Sequence, residues 1–179
     1  MDPAAIPIRT ATSADNTLLC ELGRQAFYEA FGAENTPEDM AAYLANAFSP
    51  EKQAAELADP ATRFLIAEID GQPAGFARLR SGPAPACVTG TQPIEIVRFY
   101  SLGAWIGKGV GPALMQACLA QAAALGCDTL WLDVWEHNPR AIAFYRKWGF
   151  AVVGTQPFQL GSDTQTDLLM SRPAPSPAL

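Results

Sequence analysis

The residues between Ile94 and Leu125 constrain the fold more than any other part of the sequence. They predict a strand over Ile94–Leu102, then a turn rich in glycine, then an apolar helix over Val110–Leu125. We call residues 107–111 the glycine turn. Glycine lets the backbone adopt a positive φ and approach a ligand closely, and the free N–H groups at a helix start favour an anion. The segment therefore predicts a strand–turn–helix unit with an anion site at the turn.

The spacing of the glycines excludes two common nucleotide-binding loops. A Walker A loop needs four residues between its glycines, but three separate Gly103 from Gly107. A dinucleotide-binding turn needs a small residue three positions after its second glycine, where Pro112 and Leu114 stand. The alternative interpretation is that the glycines only form a tight connection between strand and helix.

The rest of the chain predicts an α/β or α+β domain around one mixed sheet. Its first third is helical, because a capping residue followed by proline begins a helix at Thr36 and again at Ser49. Asp70-Gly71 predicts a β-hairpin. We expect one domain over residues 1–172 and a proline-rich tail over residues 173–179. Elements are expected at Ile6–Arg9, Asp15–Phe31 (capped by Ser13 or Asp15), Thr36–Phe48, Ser49–Leu57, Phe64–Ile69, Pro73–Leu79, Thr129–Trp135, Pro139–Trp148, Phe150–Gly154 and Thr166–Met170.

The charge and the cysteines narrow the classes of ligand. The 179 residues carry a formal net charge of −6, which argues against nucleic acid. This charge is compatible with a cationic acceptor, although acidic proteins often carry it for solubility alone. The four cysteines form no C-x-x-C pair and no cluster with histidine, so we expect no metal site, and Cys118 is expected in the core. The sequence has no secretory signal and no long apolar stretch, so we expect a cytoplasmic protein without a membrane partner.

A second pattern begins at Asn138. Asn138 as N-cap and Pro139 at the first helical position predict a helix start. Tyr145 lies seven residues after Asn138, about two helical turns, so both side chains lie on one helix face. On its own, the pair is best explained as a capping asparagine and a packed tyrosine.

Together these segments resemble the GNAT (Gcn5-related N-acetyltransferase) superfamily. Its Q/R-x-x-G-x-G/A motif matches Ile106–Gly111 except at the first position, and its β5–α4 segment is similar to Leu130–Phe150, LWLDVWEHNPRAIAFYRKWGF. Ala30–Phe48 and Gly161–Met170 are similar to the spermidine/spermine acetyltransferases of the PaiA type. The resemblance implies a GNAT fold, a mixed and mostly antiparallel sheet flanked by helices, and an acetyl-CoA-dependent N-acetyltransferase.

The resemblance also implies which residues contact acetyl-CoA. The pantetheine arm would pair, like an added strand, with the backbone of Phe99, Tyr100 and Ser101. The pyrophosphate would be held by the amides of Ile106, Gly107, Lys108, Gly109, Val110 and Gly111. Asn138 would contact the cofactor, and Tyr145 would lie beside its sulfur as the general acid. Two residues depart from the family pattern, because Ile106 replaces a polar side chain and Pro112 removes one N–H donor.

Three carboxylates are candidates for the general base that takes the proton of the acceptor amine. Glu95 begins the strand before the glycine turn, where many GNAT proteins carry their base in a similar E-I-V context, and we place it first. Asp133 comes next and lies five residues before Asn138. Glu136 and the single histidine, His137, are expected in an exposed turn. If the amine enters neutral, the carboxylates are structural.

The acceptor that the resemblance implies is a small cationic amine such as a polyamine, acetylated by direct transfer. An acidic entrance for such a cation, or merely a solvated helix face, is formed by Glu29, Glu34, Glu38 and Asp39. Other interpretations are a protein or peptide amine, an antibiotic amine, or a module that binds acetyl-CoA without turnover. A homodimer is compatible with the sequence.

Overall fold

Seven strands form one sheet at the centre of the molecule, for which a computed structural model describes residues 6–176. In chain order they are β1 (Ile8–Thr10), β2 (Thr62–Ile69), β3 (Gln72–Ser81), β4 (Pro93–Ser101), β5 (Thr129–Trp135), β6 (Ala151–Leu160) and β7 (Asp163–Pro173). Across the sheet their order is β1-β2-β3-β4-β5-β7-β6. Among the described strands, β4 and β5 form the one parallel pair. The mixed, mostly antiparallel sheet expected from the sequence is therefore confirmed.

Within residues 6–176, five α-helices flank the sheet, and most of their starts follow the capping signals in the sequence. They are α1 (Asn16–Phe31), α2 (Pro37–Ala47), α3 (Pro50–Ala58), α4 (Val110–Ala124) and α5 (Pro139–Lys147). Thr36 and Ser49 each accept a hydrogen bond from an amide in the first turn of α2 and α3, as predicted. The start of α1 differs: Thr12 caps a short 3₁₀ turn, and the Asp15 carboxylate instead binds the Thr12 amide and Arg9.

The parallel pair β4–β5 is short and leaves a gap, which we call the β4–β5 cleft. The two strands pair at three positions, from Pro93 opposite Thr129 to Glu95 opposite Trp131. Beyond Glu95, β4 continues to Ser101 with β3 as its only strand neighbour among the described residues. A bulge at Val97, which has no partner residue on β3, bends β4 at this point. Divergence of the strands thus opens the middle of the sheet.

Two separate hydrophobic clusters cover the two faces of the sheet. Helices α4 and α5 pack on one face, and α1, α2 and α3 pack on the other. Helix α4 buries a stripe that recurs every three or four residues, and Cys118 in this stripe is fully buried as predicted. Burial of each large apolar side chain in this stripe, such as Leu114 or Met115, contributes about 1.5–3 kcal/mol to stability. The helices hold the sheet on both sides of the β4–β5 cleft.

The C-terminal hairpin is longer than the sequence predicts. Phe150–Gly154 and Thr166–Met170 were expected to be short strands, whereas β6 and β7 continue to a tight turn at Gly161. The prediction was wrong because β6 is an edge strand whose outward side chains are polar or exposed, so its hydrophobic alternation is weak. At the tip, the Ser162 amide donates a 2.6 Å hydrogen bond to Asp39 of α2.

The chain end follows the sheet slightly further than expected. Strand β7 includes Pro173, and the Ala174 amide donates to the Asp128 carbonyl at 2.9 Å. The expected tail residues 177–179 lie outside the described residues, and the domain boundary at residue 172 stays a prediction. Within residues 6–176, no helix has the length and apolar character needed to cross a membrane.

Candidate active site

A cavity of about 1150 Å³ opens at the β4–β5 cleft and brings most of the predicted site residues together. Its lining includes Glu95, Phe99, Tyr100, Ser101, Ile106, Gly107, Gly109, Gly111, Asp133, Asn138 and Tyr145. Two members of the predicted set lie outside this lining. The Val110 side chain is fully buried in the core, and the Lys108 ammonium lies over the Trp105 ring at 4.9 Å. The Lys108 and Val110 side chains therefore do not face the cavity, although their backbone remains part of the turn.

The glycine turn takes backbone conformations that favour glycine. Gly107 and Gly109 have φ values of +79° and +93°. A Cβ atom at Gly107 would have no atom within 4 Å, so strain rather than crowding is what this position imposes on a side chain. The turn passes directly into the first turn of α4. Its backbone is thus exposed to the cavity at the positive end of the helix dipole.

Four amides of the glycine turn are free to bind a ligand. The Ile106 amide donates to the Gly103 carbonyl, and the Lys108 amide donates to the Trp105 carbonyl. Within residues 6–176 no acceptor is present for the amides of Gly107, Gly109, Val110 and Gly111. The turn therefore offers fewer free amides than the sequence predicts, because two of the six expected donors are bonded to the protein. Unpaired amides at a helix start fit a phosphate group.

The edge of β4 that faces the cleft is the second backbone feature of the site. On its other edge, Phe99, Tyr100 and Ser101 pair with Ala77, Phe76 and Gly75 of β3. Gly75 is required here, since a Cβ atom would lie 2.5 Å from the Tyr100 carbonyl oxygen. The unpaired edge fits an extended ligand arm in the manner of an added strand. Sequence reasoning missed the bulge at Val97, which lines the same cavity.

Helix α5 supplies Asn138 and Tyr145 from its two ends. The Asn138 side chain caps the helix by accepting a 3.2 Å hydrogen bond from the Ala141 amide, as predicted. Tyr145 is 7% exposed, and its ring packs against Phe99 with the ring centroids 6.0 Å apart. Burial raises the pKa of Tyr145 above its usual value, so the hydroxyl keeps its proton near neutral pH. A protonated phenol that faces the cavity is able to act as an acid.

The two carboxylates predicted as bases lie in different surroundings. Glu95 is buried and forms a 2.5 Å ion pair with Arg80 of β3. Burial raises the pKa of Glu95, and the hydrogen bond from Arg80 opposes that rise. Asp133 instead accepts a 2.8 Å hydrogen bond from the Gln156 side-chain amide, and burial raises its pKa. The structure thus provides Glu95 with a cationic partner and Asp133 with a neutral one.

Asp167 of β7 lines the same cavity and was missed by the sequence reasoning. It lies opposite Trp135 of β5 and is 6% exposed. Burial raises the pKa of Asp167 to about 7, and the charges of Asp133 and Glu136 add to the rise. A signal for it was present, because Asp167 stands inside the predicted strand Thr166–Met170, and aspartate is rarely fully buried unless it is paired.

A buried ionic network forms the floor of the cavity on the side of α3. Glu56 binds Arg78 at 2.8 Å and Arg98 at 2.6 Å, and Arg98 also donates to the Ala47 carbonyl at 3.0 Å. The Arg98 guanidinium lies 4.7 Å from the centre of the Phe48 ring. Sequence reasoning missed this network as well, since its members come from three separate elements.

Comparison with known proteins gives this arrangement a family. The model of the acetyltransferase (GNAT) family matches residues 19–150. An N-acetyltransferase encoded in the pepI 3′ region of Lactobacillus delbrueckii subsp. lactis is 32% identical over 151 residues, which cover 84% of this chain and 87% of that protein. The chain belongs to the GNAT acetyltransferase family. It is therefore an acetyl-CoA-dependent N-acetyltransferase, and the interpretation as a module without turnover is set aside.

Two further relatives show how widely this GNAT shares its scaffold. The PaiA N-acetyltransferase from Thermoplasma acidophilum, solved in complex with coenzyme A, superposes with a TM-score of 0.74 at 22% identity, over 94% of this chain and 98% of that chain. This likeness shows the fold alone. Streptothricin acetyltransferase from Streptomyces lavendulae is 33% identical over 115 residues, or 63% of this chain and 58% of that protein.

The acidic entrance expected at the N-terminal helices does not form as a set. Of its four residues, Glu29 lines the cavity, and its carboxylate accepts hydrogen bonds from the Gly103 amide at 2.7 Å and from Gln25 at 2.9 Å. Asp39 binds the tip of the C-terminal hairpin instead. Glu29 thus holds the loop before the glycine turn. The acidic groups of the cavity come mainly from the sheet and from α3.

The remaining sequence expectations concern the exposed turn after β5 and metals. His137 and Glu136 are exposed, as predicted, and the His137 ring packs edge-on against Trp135. Among residues 6–176, no group of three or more His, Cys, Asp or Glu side chains is arranged to hold a metal ion.

Proposed function

We propose that this GNAT acetylates a small cationic primary amine of the polyamine kind by direct transfer from acetyl-CoA. One observation carries the proposal: a single cavity joins the free amides of the glycine turn, the Tyr145 side chain, the half-buried carboxylate Asp133 and the buried carboxylate Asp167. Groups suited to phosphate binding, proton donation and recognition of a cation thus line the same cavity. The similarity of Ala30–Phe48 and Gly161–Met170 to acetyltransferases of the PaiA type supports the same acceptor class.

The residues for the acetyl donor follow from the free backbone groups. The amides of Gly107, Gly109, Val110 and Gly111 would hold the pyrophosphate, and the free edge of β4 at Phe99–Ser101 would pair with the pantetheine arm. Acetyl-CoA supplies an activated acetyl thioester. Asn138 uses its side-chain oxygen to cap α5, so its role toward the cofactor is left to its amide nitrogen.

Proton transfer is assigned to two side chains. An amine arrives mostly as an ammonium ion, so it must lose a proton before its lone pair attacks the thioester carbonyl. We assign this proton to Asp133 rather than to Glu95, because Glu95 already accepts from Arg80. As the new N–C bond forms and the C–S bond breaks, Tyr145 donates its proton to the departing sulfur. The nitrogen loses its second proton to the Tyr145 phenolate, and Asp133 releases its proton to solvent, which leaves an acetamide, a free thiol and one released proton.

A larger antibiotic amine is a second candidate acceptor. The similarity to streptothricin acetyltransferase and the cavity volume of about 1150 Å³ both favour it. Such an acceptor would contact aromatic side chains that line the cavity, Phe31, Tyr43, Trp135 and Phe158. We also retain the cytoplasmic location and the homodimer as proposals.

A thiol-release assay tests the proposed function. Purified protein is mixed with acetyl-CoA and, in separate reactions, with spermidine, a lysine peptide, an aminoglycoside or streptothricin. We expect the highest kcat/KM with spermidine. A preference for streptothricin would establish the second candidate. Measurable acetyl-CoA binding without thiol release above background for any amine would refute acetylation of an amine.

A further inference from the structure

Asp167 is a buried carboxylate whose charge no other described residue neutralises. It is 6% exposed and lines the cavity. Within residues 6–176, its side chain has neither a hydrogen-bond donor nor an ion-pair partner. The other buried acids of the cavity differ, because Glu56 binds two arginines and Glu95 binds one. An ionised carboxylate without a partner is costly to bury, so this position points to a missing cation.

The sheet register places Asp167 beside Asp133. Asp167 lies opposite Trp135, and Asp133 lies opposite Leu169, so the two aspartates are diagonal neighbours on one face of the β5–β7 pair. Gln156 of β6 also lies opposite Asp167 and donates to Asp133. Two acidic side chains therefore point into the same part of the cavity, with one neutral donor between them.

The charged groups that surround this pair leave room for a cation from solution. The strand arginines that line the cavity, Arg78, Arg80 and Arg98, are bound to Glu56 and Glu95. The walls beside the pair are aromatic. Trp135 lies opposite Asp167, and Phe158 lies opposite Gln165 and packs at a tilt against Tyr43 with the ring centroids 5.5 Å apart. Aromatic faces and carboxylates together favour an alkylammonium ion over a neutral or anionic group.

We propose that Asp133 and Asp167 form the subsite that holds the ammonium group of the acceptor. The subsite selects cationic amines over neutral and anionic acceptors. This inference rests on the proposed function, since it concerns the acceptor of the same acetyl transfer. It assigns a specificity role to a residue of the C-terminal hairpin, a part of the chain in which the sequence analysis named no site residue.

The test separates binding of an ammonium ion from turnover. Calorimetry measures the affinity of 1,4-diaminobutane for the protein saturated with coenzyme A, in the wild type and in Asp167→Asn. A second measurement compares kcat/KM for 1,4-diaminobutane with kcat/KM for hydroxylamine, which is neutral at pH 8. Asp70→Asn serves as the matched control, because it removes one exposed carboxylate at the distant β2–β3 turn.

We expect Asp167→Asn to weaken diamine binding about 10- to 100-fold and to lower the diamine-to-hydroxylamine ratio by a similar factor. Asp133→Asn is expected to weaken binding as well, and Asp167→Glu to restore part of it. Asp70→Asn should change neither quantity. If the wild type does not bind the diamine, or binds it no better than Asp167→Asn, the subsite is refuted. Absence of thiol release with either nucleophile would instead refute the proposed function, and the calorimetry would still decide the subsite.

Discussion

The two ends of the cavity present different chemical groups: backbone groups at one end and charged side chains at the other. At the end formed by the glycine turn and the free edge of β4, the groups that face the cavity are backbone amides and carbonyls. At the other end they are charged side chains, from Glu56 on α3 to Asp167 on β7. The first end depends on the conformation of a few consecutive residues. The second depends on side chains brought together from distant parts of the chain.

The contrast between the two ends indicates which half of the enzyme tolerates substitutions. A backbone cradle accepts many side-chain replacements, and this chain illustrates it, since Ile106 stands where the family carries a polar residue and is 43% exposed. A cluster of buried charges tolerates little change, because removing one partner leaves another charge uncompensated. A new acceptor would therefore require coordinated substitutions at the charged end, from Glu56 to Asp167. The end formed by the glycine turn and the free edge of β4, where we propose that acetyl-CoA binds, would stay the same.

The largest effect expected is on the acid at the junction of the two ends. Tyr145→Phe should lower kcat about 100- to 1000-fold and change acetyl-CoA affinity less than twofold. Packing is preserved, because the hydroxyl has no hydrogen-bond partner among the described residues. Steady-state thiol release and calorimetry measure the two quantities, with Tyr28→Phe on the exposed face of α1 as control. An unchanged kcat would remove Tyr145 as the acid.

The next effect sharpens the assignment at the charged end. Asp133→Asn should lower kcat about 10- to 100-fold, whereas Glu95→Gln should lower it less than about tenfold, because Arg80 already holds Glu95. The pH dependence of kcat/KM measures both variants. The fall of kcat/KM at acidic pH should disappear in Asp133→Asn, because the variant lacks the carboxylate that takes up the proton. The reverse order of effects would make Glu95 the base, as the sequence first suggested.

A smaller effect, on acetyl-CoA affinity, tests the end of the cavity formed by the glycine turn. Gly107→Ala should raise the Kd of acetyl-CoA about tenfold and leave kcat at saturation unchanged, since a side chain strains the positive φ of the cradle. Gly71→Ala is a closely matched control. Gly71 has a φ of +73° and, like Gly107, no atom within 4 Å of the added Cβ, but it lies at the β2–β3 turn. Equal Kd values for the two variants would mean that the glycine turn does not bind the cofactor.

The smallest effect expected is on stability. The pKa of Asp167 is raised from 3.8 to about 7 in the folded protein, so its contribution to stability is full below pH 4 and is lost as the pH rises to about 7. The groups facing it are Asp133 of β5, Glu136 in the turn after β5, Gln156 of β6 and Tyr43 of α2. A rise from 3.8 to about 7 sets an upper limit of about 4 kcal/mol on this contribution. The free energy of unfolding of Asp167→Asn should therefore rise relative to that of the wild type by at least about 1 kcal/mol between pH 4 and pH 8, or at least about 2–4 °C in Tm. Parallel Tm curves for the two proteins would contradict the raised pKa.

The sequence predicted the conformation of the glycine-turn end well because its signals are local. The glycine turn and the cap at Asn138 are each encoded within a few residues, and the helices and strands around them are confirmed. The number of free amides was overestimated, because the hydrogen bonds of Ile106 and Lys108 arise from the 3₁₀ turn before the glycines.

The charged end was only partly predictable, since its contacts join distant residues. Glu56 and Arg98 are 42 positions apart, and the position of Asp133 diagonally beside Asp167 depends on the register of β5 and β7. Periodicity marks a strand, but it does not reveal which strand will lie beside it. The full length of the edge strand β6 was not predicted for the same reason. Its length depends on pairing with β7 and not on its own hydrophobicity.

The short pairing of β4 with β5 has a consequence for how the protein resists unfolding. Three residue pairs join the two halves of the sheet there, and α4 packs beneath both. A ligand that binds the edge of β4 and also contacts α5 would connect the two halves of the sheet across this short pairing and stabilise the folded state while it is bound. By mass action, a ligand at 100 times its Kd adds about 2.7 kcal/mol to the free energy of unfolding. The supply of acetyl-CoA would then govern the lifetime of this enzyme as well as its rate.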